Sequence, residues 1–109
     1  MLVSVYDPSP CTVFEAMACG LPVVTSTKSG AAELLQEHDA GLICPSGDAA
    51  ALAAHLHKLQ EPSARERLAA NARRAVQPLS PSAITLQLVL LYRDLLAAAV
   101  PSSATVTIA

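Results

Sequence analysis

The segment Leu21-Pro22-Val23-Val24-Thr25 constrains this chain most, closed by Gly20 before it and by the polar stretch Ser26–Gly30 after it. A continuous β-branched run of this length, bounded by turn residues, predicts a strand buried on both faces. Such a strand belongs in a parallel sheet covered by helices, not in an antiparallel sheet with one wet face. The neighbouring segments agree with this. Leu2–Val5 reads as a short strand that ends in Tyr6-Asp7-Pro8-Ser9-Pro10, where two prolines in three positions stop any ladder. Thr12–Cys19 reads as a helix closed by Gly20, Ala31–Glu37 as a short second helix, and Gly41–Cys44 as a third strand turned by Pro45-Ser46-Gly47.

Three further helices are expected. Asp48 is placed to cap the first, whose Leu52, Leu56 and Leu59 fall on one side. Ser63 and Glu66 have the spacing of a capping box for the second. Ser80 followed by Pro81 suits a cap and first helical position for the third, running from about Ser82 to Ala99. Strands that alternate with helices require right-handed crossovers. The expected class is therefore α/β: a partial Rossmann-like three-layer domain with a short parallel sheet and C-terminal helices. Residues 1–100 are taken as one domain portion and 101–109 as a flexible tail.

The chain has 109 residues, enough for one modest core. Charged residues are 15% of it, against about 25% in an average domain, so some surface is expected to face a partner. Seven Lys and Arg, a net charge of −2 and three aromatics exclude a phosphate-tracking or base-stacking nucleic-acid surface. Cys11, Cys19 and Cys44 are odd in number and lack metal spacing, which reads as reduced thiols. Cys19, just before Gly20, is expected to be buried. His38, His55 and His57 read as surface or boundary residues without a metal partner. No uninterrupted apolar run reaches the ~18 residues of a membrane span, and no signal peptide is visible. A cytoplasmic protein is the expectation.

Parallel sheets bind ligands at the carboxyl ends of their strands. That directs attention to Asp7–Cys11 and Ser26–Gly30. The stretch Asp7-Pro8-Ser9-Pro10-Cys11-Thr12-Val13-Phe14-Glu15-Ala16-Met17-Ala18-Cys19-Gly20-Leu21-Pro22-Val23-Val24 resembles the signature of the GT-B-fold retaining glycosyltransferases of group 1, family 4. That signature has two acidic residues with seven between them, then E-A-x-A-x-G-x-P-V. The similarity continues through Ser29-Gly30-Ala31-Ala32-Glu33, Gly41-Leu42 and Pro45-Ser46-Gly47-Asp48, covering roughly Tyr6 to Ala98. The resemblance implies half of a GT-B donor domain.

By the same resemblance, Glu15 accepts hydrogen bonds from the ribose of the donor nucleotide. The plainer alternative is that Thr12-x-x-Glu15 is a capping box. Asp7 stands where the family usually has Glu and would contact the donor sugar, with turn formation as the alternative. Ser9, Pro10, Cys11 and Thr12 form the loop-to-helix junction whose N–H groups would meet sugar or pyrophosphate oxygens. Lys28 and Ser29 are candidate phosphate contacts; a lone loop lysine is otherwise solvated. Glu33 fits a first-turn acidic residue. The implied protein transfers a sugar from a nucleotide-sugar to an acceptor with retention, using no metal and no cofactor. The N-terminal acceptor domain is missing from this chain, so the isolated piece is expected to be inactive and to form homo-oligomers. The full enzyme would be cytoplasmic or peripheral to the inner face of the membrane. The alternative function is a non-catalytic nucleotide-binding or interaction module. The absence of G-x-G-x-x-G and of the P-loop pattern argues against other nucleotide folds.

Overall fold

The computed structural model describes residues 1–8 and 10–99. In chain order the elements are α1 (Cys11–Ala18), β1 (Val23–Ser26), α2 (Ala32–Glu37), β2 (Gly41–Cys44), α3 (Ala49–Lys58), α4 (Pro62–Val76), a 3₁₀ turn (Gln77–Leu79) and α5 (Pro81–Ala99). β1 and β2 pair in parallel, with Val23 opposite Gly41 and Ser26 opposite Cys44. All four residues of β1 are buried, as a strand covered on both faces requires. The architecture is the expected partial Rossmann-like α/β arrangement.

The expected strand at Leu2–Val5 is reduced to a single parallel bridge between Leu2 and Thr25. The Leu2 N–H donates to the Val24 carbonyl at 3.0 Å, and side-chain hydroxyls hold the rest. Thr25 Oγ1 donates to the Leu2 carbonyl at 2.8 Å, and the hydroxyls of Ser26 and Ser46 both donate to the Ser4 carbonyl. A strand whose carbonyls accept from side chains has fewer left for backbone pairing.

The chain divides into two compact units, Met1–Gln77 and Pro78 onward. The core of the first joins Val13 and Met17 of α1, Val23 of β1, Ala31, Leu35 and Ala40 around α2, and Ala72, Ala75 and Val76 of α4. Met17 and Leu35 are fully excluded from water, and burying each stabilises the fold by about 1.5–3 kcal/mol. Leu68, Ala72, Ala75 and Val76 recur at helical spacing and give α4 its buried stripe.

α1 and α2 end alike. Past α1, the Leu21 N–H reaches the Ala16 carbonyl at 3.0 Å and the Gly20 N–H reaches Met17 at 2.9 Å, with Gly20 at φ +73°. Past α2, the Ala40 N–H reaches Leu35 at 2.9 Å, with Asp39 at φ +48°. Both are Schellman closures, which need a left-handed residue.

Asp48 caps α3 as expected, Oδ1 accepting from the Ala51 N–H at 2.9 Å. Ser80 caps α5, its hydroxyl accepting from the Ala83 N–H at 3.2 Å. Neither the expected Ser63–Glu66 capping box nor the alternative one at Thr12–Glu15 forms. α4 starts two residues earlier than the Ser63–Glu66 spacing implies, at Pro62, with Glu61 as an N-cap making no side-chain bond. The fixed φ of proline pre-sets that first turn. The expected face of α3 is also shifted: Leu52 and Leu59 are half-buried, Leu56 is exposed, and half-buried His55 places Nε2 2.9 Å from the Ile43 carbonyl oxygen.

In the second unit α5 buries no residue of its 19. By length and composition, an 18-residue window within the helical stretch Pro62–Ala99, of mean hydropathy 1.4, is apolar enough to cross a membrane, and none of that window is buried. No uninterrupted apolar run of that length exists, because Thr85, Gln87, Arg93 and Asp94 interrupt α5. The expected tail 101–109 lies outside the described residues.

Candidate functional site

The loops that leave the Leu2 segment and β1 run side by side. The Asp7 N–H donates to the Lys28 carbonyl at 3.2 Å, and the Gly30 N–H donates to the Asp7 carbonyl at 2.6 Å. Asp7 and Ser29 form a second isolated parallel bridge. The pairing begun at Leu2–Thr25 thus resumes beyond the strand ends, joining the two stretches singled out in the sequence.

Ser29 is 6% exposed and is occupied with its own turn. Its hydroxyl accepts the Ala31 N–H at 3.2 Å. Lys28 is exposed beside it, with its carbonyl bound to Asp7. Ser9 lies outside the described residues. Pro10 is buried and serves as the N-cap of α1, with no side-chain capping bond. Val13 and Phe14 direct their N–H groups back to the Pro10 carbonyl, at 3.0 and 3.4 Å. Cys11 and Thr12 occupy the first two helical positions, where a helix offers no internal acceptor for the N–H. These donors sit at the positive end of the helix dipole.

Cys11, Thr12 and Glu15 are all exposed. At spacings of three and four they share one side of α1, while Val13 and Met17 are buried. The Thr12–Glu15 capping box does not exist, because Thr12 lies inside the helix and Pro10 is the cap. Glu15 is therefore not engaged in capping. Cys19, expected to be buried, is exposed. It stands two residues past Met17, about 200° round the helix from the buried stripe. Cys44 is the buried thiol, with Sγ 3.6 Å from the Thr25 carbonyl oxygen.

Two open grooves lie elsewhere. One, of about 360 Å³, is lined by Leu2, Val13, Ala16, Leu21 and Val23, with Thr12 contributing. The other, of about 380 Å³, is lined by Leu35, Asp39, Gly41 and Ile43. The first runs to the amino end of β1 and the second to the amino end of β2, away from the paired loops. Among the described residues no three of His, Cys, Asp and Glu gather as metal ligands.

Gly30, not among the residues expected at the site, carries the close approach between the loops. The lone glycine after Lys28-Ser29 was the available signal.

The family model of glycosyl transferases group 1 matches residues 1–75. The chain belongs to that family. Among curated relatives, the amylovoran biosynthesis glycosyltransferase AmsK of Erwinia amylovora is 50% identical over 52 residues, 48% of this chain and 13% of that protein. The putative colanic acid biosynthesis glycosyltransferase WcaL of Salmonella typhimurium is 47% identical over 47 residues, 43% of this chain and 12% of that protein. Among solved structures, sucrose-phosphate synthase from Thermosynechococcus elongatus superposes with a TM-score of 0.78 at 38% identity, over 89% of this chain and 26% of that one. The chain thus spans a small part of the length of each relative, and its partial Rossmann-like arrangement is like a part of that neighbour's GT-B fold.

Proposed function

We propose that this chain supplies part of the donor site of a glycosyltransferase that moves a sugar from a nucleotide-sugar to an acceptor with retention. The observation that carries the reading is the pairing of Asp7 with Lys28–Gly30 beside the uncapped start of α1. In this reading Asp7, Ser9, Pro10, Cys11 and Thr12 face the donor sugar and its phosphate. Main-chain N–H groups of Cys11 and Thr12 meet the charge that grows on the leaving diphosphate. Glu15, one turn further along the exposed side of α1, accepts the two ribose hydroxyls. Hydrogen bonds to a charged acceptor contribute about 1.5–3 kcal/mol each. Lys28 adds a cation and Ser29 holds the turn that presents it. No metal or cofactor has a part in this scheme.

The acceptor side is assigned to an N-terminal domain outside this chain, so the isolated chain is read as inactive. Its relatives are named for amylovoran and colanic acid biosynthesis, and we place the working enzyme in a biosynthetic role of that kind, in the cytoplasm or at the inner membrane face. The isolated chain is read as self-associating through α5.

Titration of the chain with uridine, guanosine and adenosine diphosphates tests the donor reading. Binding of one of them, weakened about tenfold or more by Glu15→Ala, supports it. No binding of any of the three, or binding unaffected by Glu15→Ala, rejects it.

A further inference from the structure

Gly30 meets the Asp7–Pro8 turn where no side chain fits. A methyl group on Gly30 would come within 1.8 Å of the Pro8 carbonyl oxygen and 2.6 Å of its carbon. Both are backbone atoms, so neither can swing aside as a side-chain tip would. The left-handed conformation that demands glycine elsewhere occurs at Gly20 and Gly47, not here. What requires glycine at this position is the approach of another chain segment.

The approach is fixed from both sides. On one side the Ser29 N–H donates to the Ser26 carbonyl at 3.1 Å, and the Ala32 N–H donates to Ser29 at 3.0 Å. The Ser29 hydroxyl binds the Ala31 N–H. The loop is thereby tied to the end of β1 and to the start of α2, both anchored in the core. On the other side Asp7 is held through its N–H and its carbonyl. Two residues beyond Pro8, buried Pro10 is the N-cap of α1. The height of Asp7 and Pro8 is thus referred to the core through Gly30.

We propose that Gly30 is a positioning residue for Asp7 and Pro8 and, through them, for the main-chain donors of Cys11 and Thr12, setting affinity for the diphosphate portion of the donor and not for its nucleoside portion. The inference rests on the donor reading above, in which Asp7, Pro10, Cys11 and Thr12 meet phosphate and sugar while Glu15 meets ribose. A methyl at residue 30 displaces the first group and leaves the second in place. Displacements of about 1 Å in such a loop are enough to cost an order of magnitude or more.

The test compares uridine, guanosine and adenosine with their 5′-diphosphates, by calorimetry on the 109-residue chain, as wild type, Gly30→Ala and Pro8→Gly/Gly30→Ala. Wild type is expected to bind one diphosphate more tightly than its nucleoside. Gly30→Ala is expected to lower that ratio about tenfold, with the nucleoside Kd held within about twofold. Pro8→Gly frees the obstructing carbonyl and restores part of the ratio, and this double variant stands in if Gly30→Ala does not fold. An unchanged ratio, or equal weakening of nucleoside and diphosphate, overturns the inference. If wild type binds none of the six probes, the donor reading fails. The positioning role is then judged on backbone amide resonances. Shifts reaching Asp7 and Cys11–Phe14 sustain it, and shifts confined to Ser29–Leu35 overturn it.

Discussion

Asn71 Nδ2 donates to the Asp39 carbonyl oxygen at 2.9 Å, fastening α4 to the turn that ends α2. The Asp39 carboxylate also pairs with the Arg67 guanidinium, the two side chains being 60% and 50% exposed. A pair so open to water contributes about 0–1 kcal/mol. The larger demand at this residue is its φ of +48°. Asp39→Asn, which tolerates that conformation, is expected to change stability by less than about 1 kcal/mol. Asp39→Val is expected to cost about 1–2 kcal/mol. Urea unfolding of the two variants checks this, and equal losses would show that the ion pair dominates.

Gly20 occupies the matching position after α1 at φ +73°, and an added methyl would meet Arg73 Nε at an ordinary 3.8 Å. The cost of Gly20→Ala is therefore conformational alone, about 1–2 kcal/mol. A thermal scan should show the midpoint falling by about 4–8 °C for each kcal/mol. An unchanged midpoint would mean that the α1 closure is not under this constraint.

Cys11 and Cys19 are exposed at opposite ends of α1, and Cys44 is buried. N-ethylmaleimide is expected to modify the first two in the native chain and Cys44 only after unfolding. A nucleoside diphosphate bound as proposed slows labelling of Cys11 and leaves Cys19 unaffected. Equal protection of both, read by peptide mass, would contradict the placement of the diphosphate at the start of α1.

On α5, Ile84, Leu88, Leu91 and Leu95 form one stripe at spacings of four, three and four, with Val89, Tyr92 and Leu96 beside it. Their exposures run from 36% to 60%. Apolar surface left in water costs about 25 cal/mol per Å². Arg93 and Asp94 are adjacent within the helix, and each would be costly at a bilayer centre, by about 2.5–3.5 kcal/mol. Pairing of α5 between copies is the expected outcome. Light scattering at micromolar concentration should give a dimer mass for the wild-type chain and a monomer mass for Leu88→Glu/Leu91→Glu. A monomer mass for wild type would reject it.

Composition and local pattern were enough to determine β1, β2, the five helices and the parallel pairing. A β-branched run between Gly20 and a polar loop has one favourable place, inside a covered sheet. Asp48 and Ser80 cap their helices through bonds made within three residues, which are legible in sequence because both partners are local. The capping boxes at Thr12–Glu15 and Ser63–Glu66 failed because Pro10 and Pro62 set where those helices begin. Tertiary contacts alone decided that the Leu2–Ser4 stretch keeps one backbone bridge and is otherwise held by hydroxyls of Thr25, Ser26 and Ser46, since those partners lie far along the chain. They likewise decided that His55, not Leu56, turns toward β2, where the Ile43 carbonyl provides an acceptor. The same holds for the candidate site. The acidic positions and their spacing are visible in the residues themselves. The docking of Asp7–Pro8 against Gly30 depends on a close backbone approach between segments joined only through the fold, which no local pattern encodes.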